Sequence, residues 1–204
     1  MKLYFLRHEL RPLNDSTFLT ELFKIGKENS ASKLKDLLNT LNIDKIYSSP
    51  FIRVLQTVRP FAKENNLQTF CDYSLAETIT EKTFIHKPEM TLTEEHIKEF
   101  DINLDYMSLF DKSLLVYPEN DWQIYERVNN FCNYLGYTYG SSNMTILVAG
   151  HMDIVNLCLS YFSKQNIDRH AYYAMGKLSC VKNRKVIFLN EGSELDDEVE
   201  LSSL

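Results

Sequence analysis

Residues 45–57 have the sequence Lys-Ile-Tyr-Ser-Ser-Pro-Phe-Ile-Arg-Val-Leu-Gln-Thr and join a predicted strand to a predicted helix. Residues 45–48 are predicted to form a short strand, which the Ser-Ser-Pro turn ends. From Phe51 onward apolar side chains recur at helical spacing, so residues 51–63 are predicted to be a helix, with Pro60 weakening its last turn. A strand followed by a helix is the repeating unit of an α/β protein.

The same alternation extends to both sides of this segment. Further strands are predicted at residues 2–6, 67–71 and 144–149, and at 179–189, where Asn183-Arg184 breaks the run into a hairpin or two edge strands. Helices are predicted at residues 31–41, where Ser30 caps the start and Asn42 the end, and at 121–136 and 154–162. Residues 72–120 have no clear period, although Thr93 is expected to open a short helix. The predicted fold is a three-layer αβα sandwich with a mostly parallel central sheet.

The helix predicted at residues 121–136 is amphipathic. Its apolar stripe is drawn through Trp122, Tyr125, Val128, Cys132 and Leu135, and we expect this stripe to lie in the core. The helix is expected to stop near Gly136.

Length and charge bound the class of protein. The chain has 204 residues, 44% of them hydrophobic and 25% charged, which is typical of a single soluble globular domain. Six of its 28 acidic residues lie in residues 191–204, where there is no Lys or Arg. The other 22 acidic residues match the 22 basic ones, so nucleic acid is not expected as a partner. We predict one domain over residues 1–190 and an acidic, disordered tail over 191–204.

The sequence does not favour a membrane protein or a secreted protein, and it does not favour a zinc site or disulfide bonds. The longest apolar runs are far shorter than the roughly 18 residues of a membrane helix, and Arg7 and His8 interrupt the N-terminal run before it reaches signal-peptide length. We therefore expect no membrane association and a cytoplasmic location. The four cysteines are widely spaced and are interpreted as buried thiols rather than as zinc ligands or disulfides.

Side chains that can handle phosphate follow several predicted strands. His8 comes after the first strand in Leu6-Arg7-His8, and His151 follows residues 144–149. Arg53 follows the strand at 45–48, and Glu77 follows the one at 67–71. Because ligands of open α/β sheets bind beyond the carboxyl ends of the strands, we expect these groups to meet in one crevice.

Each of these residue types suits a phosphate ester. Arginine stays charged and donates paired hydrogen bonds to phosphoryl oxygens. A neutral histidine with one ring nitrogen held as a donor can attack phosphorus with the other, and neighbouring arginines favour the neutral form. A carboxylic acid can protonate the leaving alkoxide and later accept a proton from water.

The order of these segments resembles the histidine phosphatase superfamily, in its phosphoglycerate mutase-like branch. The resemblance rests on five segments in the family's order: Leu6-Arg7-His8, residues 48–57, Leu75-Ala76-Glu77, residues 119–128 and Val148-Ala149-Gly150-His151. The segment at 48–57 is the most specific of them. An Arg-His pair alone is weak, because Arg169-His170 is another such pair without supporting context.

The resemblance implies a role for each matching residue. His8 resembles the nucleophile that becomes phosphohistidine, and Glu77 resembles the proton donor. The phosphate would be held by Arg7, Arg53 and His151. Arg11 is a further candidate phosphate contact, since some family members carry an arginine three residues beyond the nucleophile. The family needs no metal or other cofactor, and the nucleophile is oriented by a backbone carbonyl.

Three departures from the family pattern lead to expectations about the pocket. Glu9 replaces the usual glycine after the nucleophile, and its carboxylate must point away from the phosphate if the protein is active. Met152 replaces the glycine after the second histidine and alters the shape of the pocket. The glycine-rich stretch that commonly follows the acidic residue is also absent after Glu77.

These observations favour a metal-independent phosphomonoesterase and leave two alternatives. One is a phosphoglycerate mutase, for which the chain looks short, and the other is a catalytically silent member that binds a phosphorylated ligand. The substrate, whether a small molecule or a phosphoprotein, is not specified, and neither is the oligomeric state. Residues 78–120 are expected to form the wall or cap of the pocket, with Lys82, Lys87, Lys98 and Lys112 available to meet substrate charge. A metal site built on His151 and Asp153 lacks further ligands at suitable spacing.

Overall fold

The computed structural model describes residues 1–191, and the predicted acidic tail lies outside the described residues except for Glu191. Six strands form one sheet: β1 (Lys2–Arg7), β2 (Lys45–Ser48), β3 (Thr69–Cys71), β4 (Thr145–Gly150), β5 (Leu178–Lys182) and β6 (Lys185–Glu191). Glu191 is thus the last residue of an edge strand rather than the first of a tail.

The strand order is β3-β2-β4-β1-β5-β6. β1 and β2 each pair with β4 in parallel, and β3 pairs with β2 in parallel. β5 and β6 are antiparallel, and both residues of the Asn183-Arg184 turn have positive φ, as a two-residue hairpin turn requires. The mostly parallel α/β sandwich predicted from the sequence is confirmed.

Helices cover both faces of the sheet. They are α1 (Lys24–Asn29), α2 (Lys35–Asn39), α3 (Ile52–Glu64), α4 (Glu94–Glu99), α5 (Asp121–Tyr139) and α6 (Met152–Ser163), with a π turn at Ser30–Leu34 between α1 and α2. Alternate residues of β1 point to opposite faces: Tyr4 and Leu6 join the core beneath α2 and α3, while Leu3 and Phe5 join the core beneath α5 and α6.

The helix predicted at residues 31–41 has a different start. Helical backbone begins at Lys24, and Ser30 lies inside the helical run instead of capping it. The Ser30 hydroxyl donates to the Gly26 carbonyl at 2.8 Å, so it bonds back to the preceding turn. A Ser in this sequence context looks like a cap because its side chain serves either role.

The stripe and end predicted for α5 are wrong in part. Trp122 and Tyr125 are 72% and 46% exposed, and the buried stripe is Ile124, Val128, Phe131, Cys132 and Leu135. At about 100° per residue, Ile124 lies near the middle of this stripe, whereas Tyr125 lies at its edge and Trp122 on the opposite side of the helix. The helix also continues past Gly136 to Tyr139, and Asn120 caps its start.

Two further findings concern the class of protein. All four cysteines are free and buried, as predicted. No helix within residues 1–191 has the length and apolar character that crossing a membrane requires.

Candidate active site

The register of the parallel strands brings both histidines together. Arg7 on β1 pairs with Gly150 on β4, so the next residues, His8 and His151, leave the sheet side by side. The His8 amide donates to the Gly150 carbonyl at 3.0 Å, and the two imidazole centroids are 5.4 Å apart. The two sequence segments, 143 positions apart, therefore form one pocket at the carboxyl edge of the sheet.

His8 is buried and held in one ring orientation. Its Nδ1 lies 2.8 Å from the main-chain oxygen of Glu9, and because a carbonyl only accepts, Nδ1 carries the proton. Burial, and then the charges of Arg53 and Arg7, hold the pKa of His8 well below its usual range. The Nε2 atom therefore keeps a free lone pair at neutral pH.

His151 is oriented by two neighbours. Its Nδ1 lies 3.1 Å from Glu77 Oε2, and its Nε2 lies 2.9 Å from Ser49 Oγ. The carboxylate accepts from Nδ1, so Nε2 accepts from the serine hydroxyl in the neutral ring. Burial lowers the pKa of His151 to about 4 despite the opposing charge of Glu77.

Arg53 lies fully buried between these groups, on the first turn of α3. Its Nη1 donates to the Thr17 carbonyl at 2.9 Å, and its Nη2 lies 3.4 Å from Glu77 Oε2. Burial lowers the pKa of Arg53 to about 10, so the guanidinium stays charged at neutral pH.

Glu77 is the carboxylate of the cluster. Burial raises its pKa, but the interaction with His151, including a hydrogen bond, and the charge of Arg53 outweigh burial and hold the pKa well below its usual range. Its second oxygen, Oε1, accepts from the Thr78 amide at 3.1 Å. In the pocket without ligand, Glu77 is therefore ionised at neutral pH.

A buried ion pair holds the segment that carries Glu77. Arg127 on α5 bonds Glu119 through two nitrogens, at 2.8 and 3.0 Å. Its Nη1 donates to the Ser74 and Ala76 carbonyls and its Nη2 to the Glu77 carbonyl. Residues 119–128 resemble a segment of the family, but the sequence predicts no role for Glu119 or Arg127. A charged residue in or beside a helix is usually solvated.

Ser49 was also given no role from the sequence. It follows β2 directly, and its amide donates to the Ala149 carbonyl at 3.0 Å. Its position in the Ser-Ser-Pro turn, directly after a strand that ends at the predicted pocket, is the sequence signal that indicates such a role.

The two remaining predicted arginines lie at the pocket wall. Arg7 and Arg11 line a cavity of about 790 Å³ that also includes Glu77 and Met152. Arg11 Nη1 donates to carbonyls of its own loop, at 2.8 Å for Asp15 and 3.4 Å for Leu13. The structure therefore brings Arg7, His8, Arg53, Glu77 and His151 together, with Arg11 at the edge.

The replacement of the family glycine by Glu9 leaves its carboxylate away from the cavity. The Asn29 amide donates to Glu9 Oε1, and the carboxylate lies against Gly176. Glu9 is fully buried, and its Oε2 accepts from the Leu10 amide at 3.4 Å. Met152, in contrast, is part of the wall.

Residues 78–120 contribute to the wall only near their two ends. Lys82 lines the cavity together with Thr78, Thr80 and Pro118. Lys112 instead donates to the Met90 carbonyl at 3.1 Å, and Lys87 and Lys98 line other depressions.

A second cavity lies away from this cluster. A cavity of about 540 Å³, lined by Lys164 and Arg184 among others, contains none of the predicted site residues. Within residues 1–191, no group of three or more His, Cys, Asp or Glu side chains is placed to hold a metal ion.

Several solved structures of phosphatases share this fold. The ecdysone phosphate phosphatase of Bombyx mori, in complex with tungstate, superposes with a TM-score of 0.74 at 11% identity, covering 96% of this chain and 95% of that one. The α-ribazole phosphatase of Shigella flexneri gives 0.65 at 20% identity, covering 94% and 96%. A mycobacterial glucosyl-3-phosphoglycerate phosphatase gives 0.61 at 16% identity, covering 89% of each chain. At these identities the likeness is one of fold.

The sequence itself identifies the family. A model described as the histidine phosphatase superfamily, branch 1, matches residues 20–185. The chain belongs to this superfamily. The match begins after Arg7 and His8, so it does not depend on that pair. No curated protein matches the sequence.

Proposed function

We propose that this chain hydrolyses phosphomonoesters, without a metal ion, through a phosphohistidine intermediate on His8. The observation that supports this most directly is the neutral, buried His8 imidazole, whose Nδ1 is fixed by a carbonyl 2.8 Å away. Arg53 and His151 lie beside it, and membership of the superfamily agrees with phosphatase chemistry.

In the first step, Arg7, Arg53 and His151 hold the phosphoryl group, and Arg11 is a candidate further contact. The Nε2 lone pair of His8 attacks phosphorus, so that an N–P bond forms as the ester P–O bond breaks. The leaving alkoxide takes a proton from Glu77 and departs as the alcohol.

Glu77 must gain a proton before it can donate one. In the free pocket it is ionised because it faces His151 at 3.1 Å and Arg53 at 3.4 Å. A bound phosphate dianion competes for Arg53 and places negative charge beside the carboxylate. Both changes raise the pKa of Glu77, so binding of the substrate itself prepares the acid.

The second step releases phosphate. Water attacks phosphorus and gives its proton to the Glu77 carboxylate, while the N–P bond breaks and its electron pair returns to His8 Nε2. Inorganic phosphate leaves. Glu77 then holds a proton, which it loses to solvent or donates to the leaving group of the next substrate.

The test is hydrolysis of an aryl phosphate from pH 5 to 8 with excess chelator, with wild type and His8→Ala compared. We expect chelator-resistant turnover in wild type, loss of turnover in His8→Ala, and acid-labile phosphate trapped on the wild-type chain alone. Labelling retained in His8→Ala would contradict the proposal.

The low pKa of Glu77 in the free pocket favours one second candidate, a silent member that binds a phosphoester without turnover. This candidate predicts phosphate binding without hydrolysis, with His8→Ala changing only the affinity. Interconversion of phosphoglycerates would instead identify a mutase.

A further inference from the structure

We propose that Asp153 and Arg169, at the rim of the catalytic cavity, bind hydroxyl groups of the substrate's alcohol, so that the substrate is the phosphomonoester of an uncharged, hydroxyl-rich alcohol. This inference rests on the proposed function and adds the substrate class to it.

The rim site is built from the Arg-His pair that had no context in the sequence. Asp153 Oδ2 lies 3.3 Å from His170 Nδ1 and 3.8 Å from Arg169 Nε. Arg169 Nη2 donates to Asp121 Oδ1 at 2.8 Å. These four residues line the same cavity as Arg7 and Glu77.

The site is held in place by a buried amide. Asn156 lies one turn beyond Asp153 on α6, and its side chain donates to the Arg169 carbonyl at 3.0 Å and to the Ala171 carbonyl at 2.7 Å. The loop that carries Arg169 is thereby tied to the helix that begins immediately after His151. The distance between the rim and the catalytic histidine is fixed by this element.

The side chains of Asp153 and Arg169 are only 13% and 15% exposed, and both line the cavity. A hydroxyl group can donate to the carboxylate and accept from the guanidinium, whereas an anion can only accept. A pair of one acceptor and one donor thus suits a hydroxyl.

Charge around the rim argues against a second anionic group on the substrate. Three cations, Arg11, Lys82 and Arg169, are balanced by three carboxylates, Glu81, Asp121 and Asp153. Deeper in the pocket, where the phosphate is proposed to bind, the two cations Arg7 and Arg53 exceed the single carboxylate Glu77 by one charge. Asp153 and Glu77 line the same cavity, and burial, then the charge of Glu77, raise the pKa of Asp153.

Most of the rest of the wall is polar, and its apolar side chains are Leu13, Pro118 and Met152. Its hydroxyl side chains are Ser16, Thr78, Thr80 and Thr83. Within residues 1–191 no Phe, Tyr or Trp lines the cavity, so a nucleobase would find only the His170 imidazole to stack on. A polyol or sugar phosphate fits this wall better than a nucleotide.

The experiment compares kcat/KM for four substrates: a hexitol phosphate, 3-phosphoglycerate, adenosine monophosphate and 4-nitrophenyl phosphate. We expect kcat/KM for the hexitol phosphate to be at least tenfold higher than that for 3-phosphoglycerate and that for adenosine monophosphate. In Asp153→Ala and Arg169→Met, kcat/KM for the hexitol phosphate should fall about tenfold more than that for the aryl ester, mainly through KM, since roughly one hydrogen bond is lost.

Two variants serve as controls. Asp153→Asn keeps an acceptor and should recover part of the preference for the hexitol phosphate. Asp36→Ala removes an exposed carboxylate on α2 and should leave kcat/KM unchanged for both the hexitol phosphate and the aryl ester. Turnover of the aryl ester with no preference for the hexitol phosphate, or with equal losses for both esters, overturns this inference alone. Absence of turnover in wild type overturns the proposed function and this inference with it.

Discussion

The His8 and His151 side chains are kept neutral by burial and by the arginines beside them, and this has a consequence for the pH dependence of activity. Because the pKa of His8 lies well below its usual value near 6.5, its attacking lone pair is available in mildly acidic solution. We predict that kcat/KM for 4-nitrophenyl phosphate, whose leaving group needs no proton from Glu77, stays level from pH 7 to 5 after correction for ionisation of the ester. Steady-state kinetics across this range measure it.

A matched variant tests the stated cause. Arg7→Gln removes one of the charges that lower the pKa of His8, so the acidic limb of its profile should move to higher pH. A wild-type limb centred near pH 6.5 would show that the nucleophile titrates as an ordinary histidine.

Ser49 gives a second prediction for a single side chain. Its hydroxyl donates to His151 Nε2, so Ser49→Ala should leave this ring less well oriented and lower kcat about fivefold, the equivalent of roughly 1 kcal/mol for one hydrogen bond. The neighbouring Ser48→Ala is the control, because the Ser48 hydroxyl bonds only the Ser49 carbonyl in the described structure. Equal losses in both variants would argue against a specific role for Ser49.

The loop before β5 is fitted to the loop after β1 through a glycine. Gly176 has φ of +72°, its amide donates to the Arg7 and His8 carbonyls, and an added Cβ would lie 2.3 Å from Glu9 Oε1. Gly176→Ala should therefore lower the free energy of unfolding by about 2 kcal/mol, from backbone strain and crowding together.

The double variant separates the two contributions. Glu9→Gly with Gly176→Ala removes the crowding and leaves only the strain, so the two changes should be non-additive by about 1 kcal/mol in urea unfolding. Additive effects would mean that Glu9 moves aside without cost.

Most helices and strands, and the two histidines, could be predicted because their signals are local. The strand signal lies within a few residues of Arg7, and the Ser-Ser-Pro turn lies within a few residues of Arg53. The roles of Ser49 and Arg127 could not be predicted, because their hydrogen-bond partners, His151 and Ser74, lie about 100 and 50 positions away in the sequence. The start of α1 was missed because Ser30 suits both a cap and a back-bonded helical position.

Burying so many ionisable groups in one pocket makes the stability of the fold depend on pH. The pKa of His151 is about 4 in the folded chain and near 6.5 when unfolded, so the unfolded state binds more protons below pH 6.5 and folding is weakened as the pH falls. From pH 7 to 4.5 this residue alone should remove about 2.5 kcal/mol from the free energy of unfolding. The lowered pKa values of His8 and Glu77 act in the same direction, Glu77 at more acidic pH.

Urea unfolding at pH 7 and 4.5 measures this loss. His151→Gln lacks one of the titrating groups, so its loss between the two pH values should be smaller than that of wild type. An unchanged difference would place the acid sensitivity elsewhere in the molecule.

The strand order has a consequence for synthesis on the ribosome. β4 lies between β1 and β2, yet it is the fourth strand to be made, so an emerging chain of fewer than about 150 residues has no strand to join these two. Until then, apolar strand edges stay open to other nascent chains, and both a second histidine and a phosphate pocket are missing. A pocket that contains both histidines can form only after β4 has been made, and a chain that ends before β4 keeps its apolar strand edges exposed.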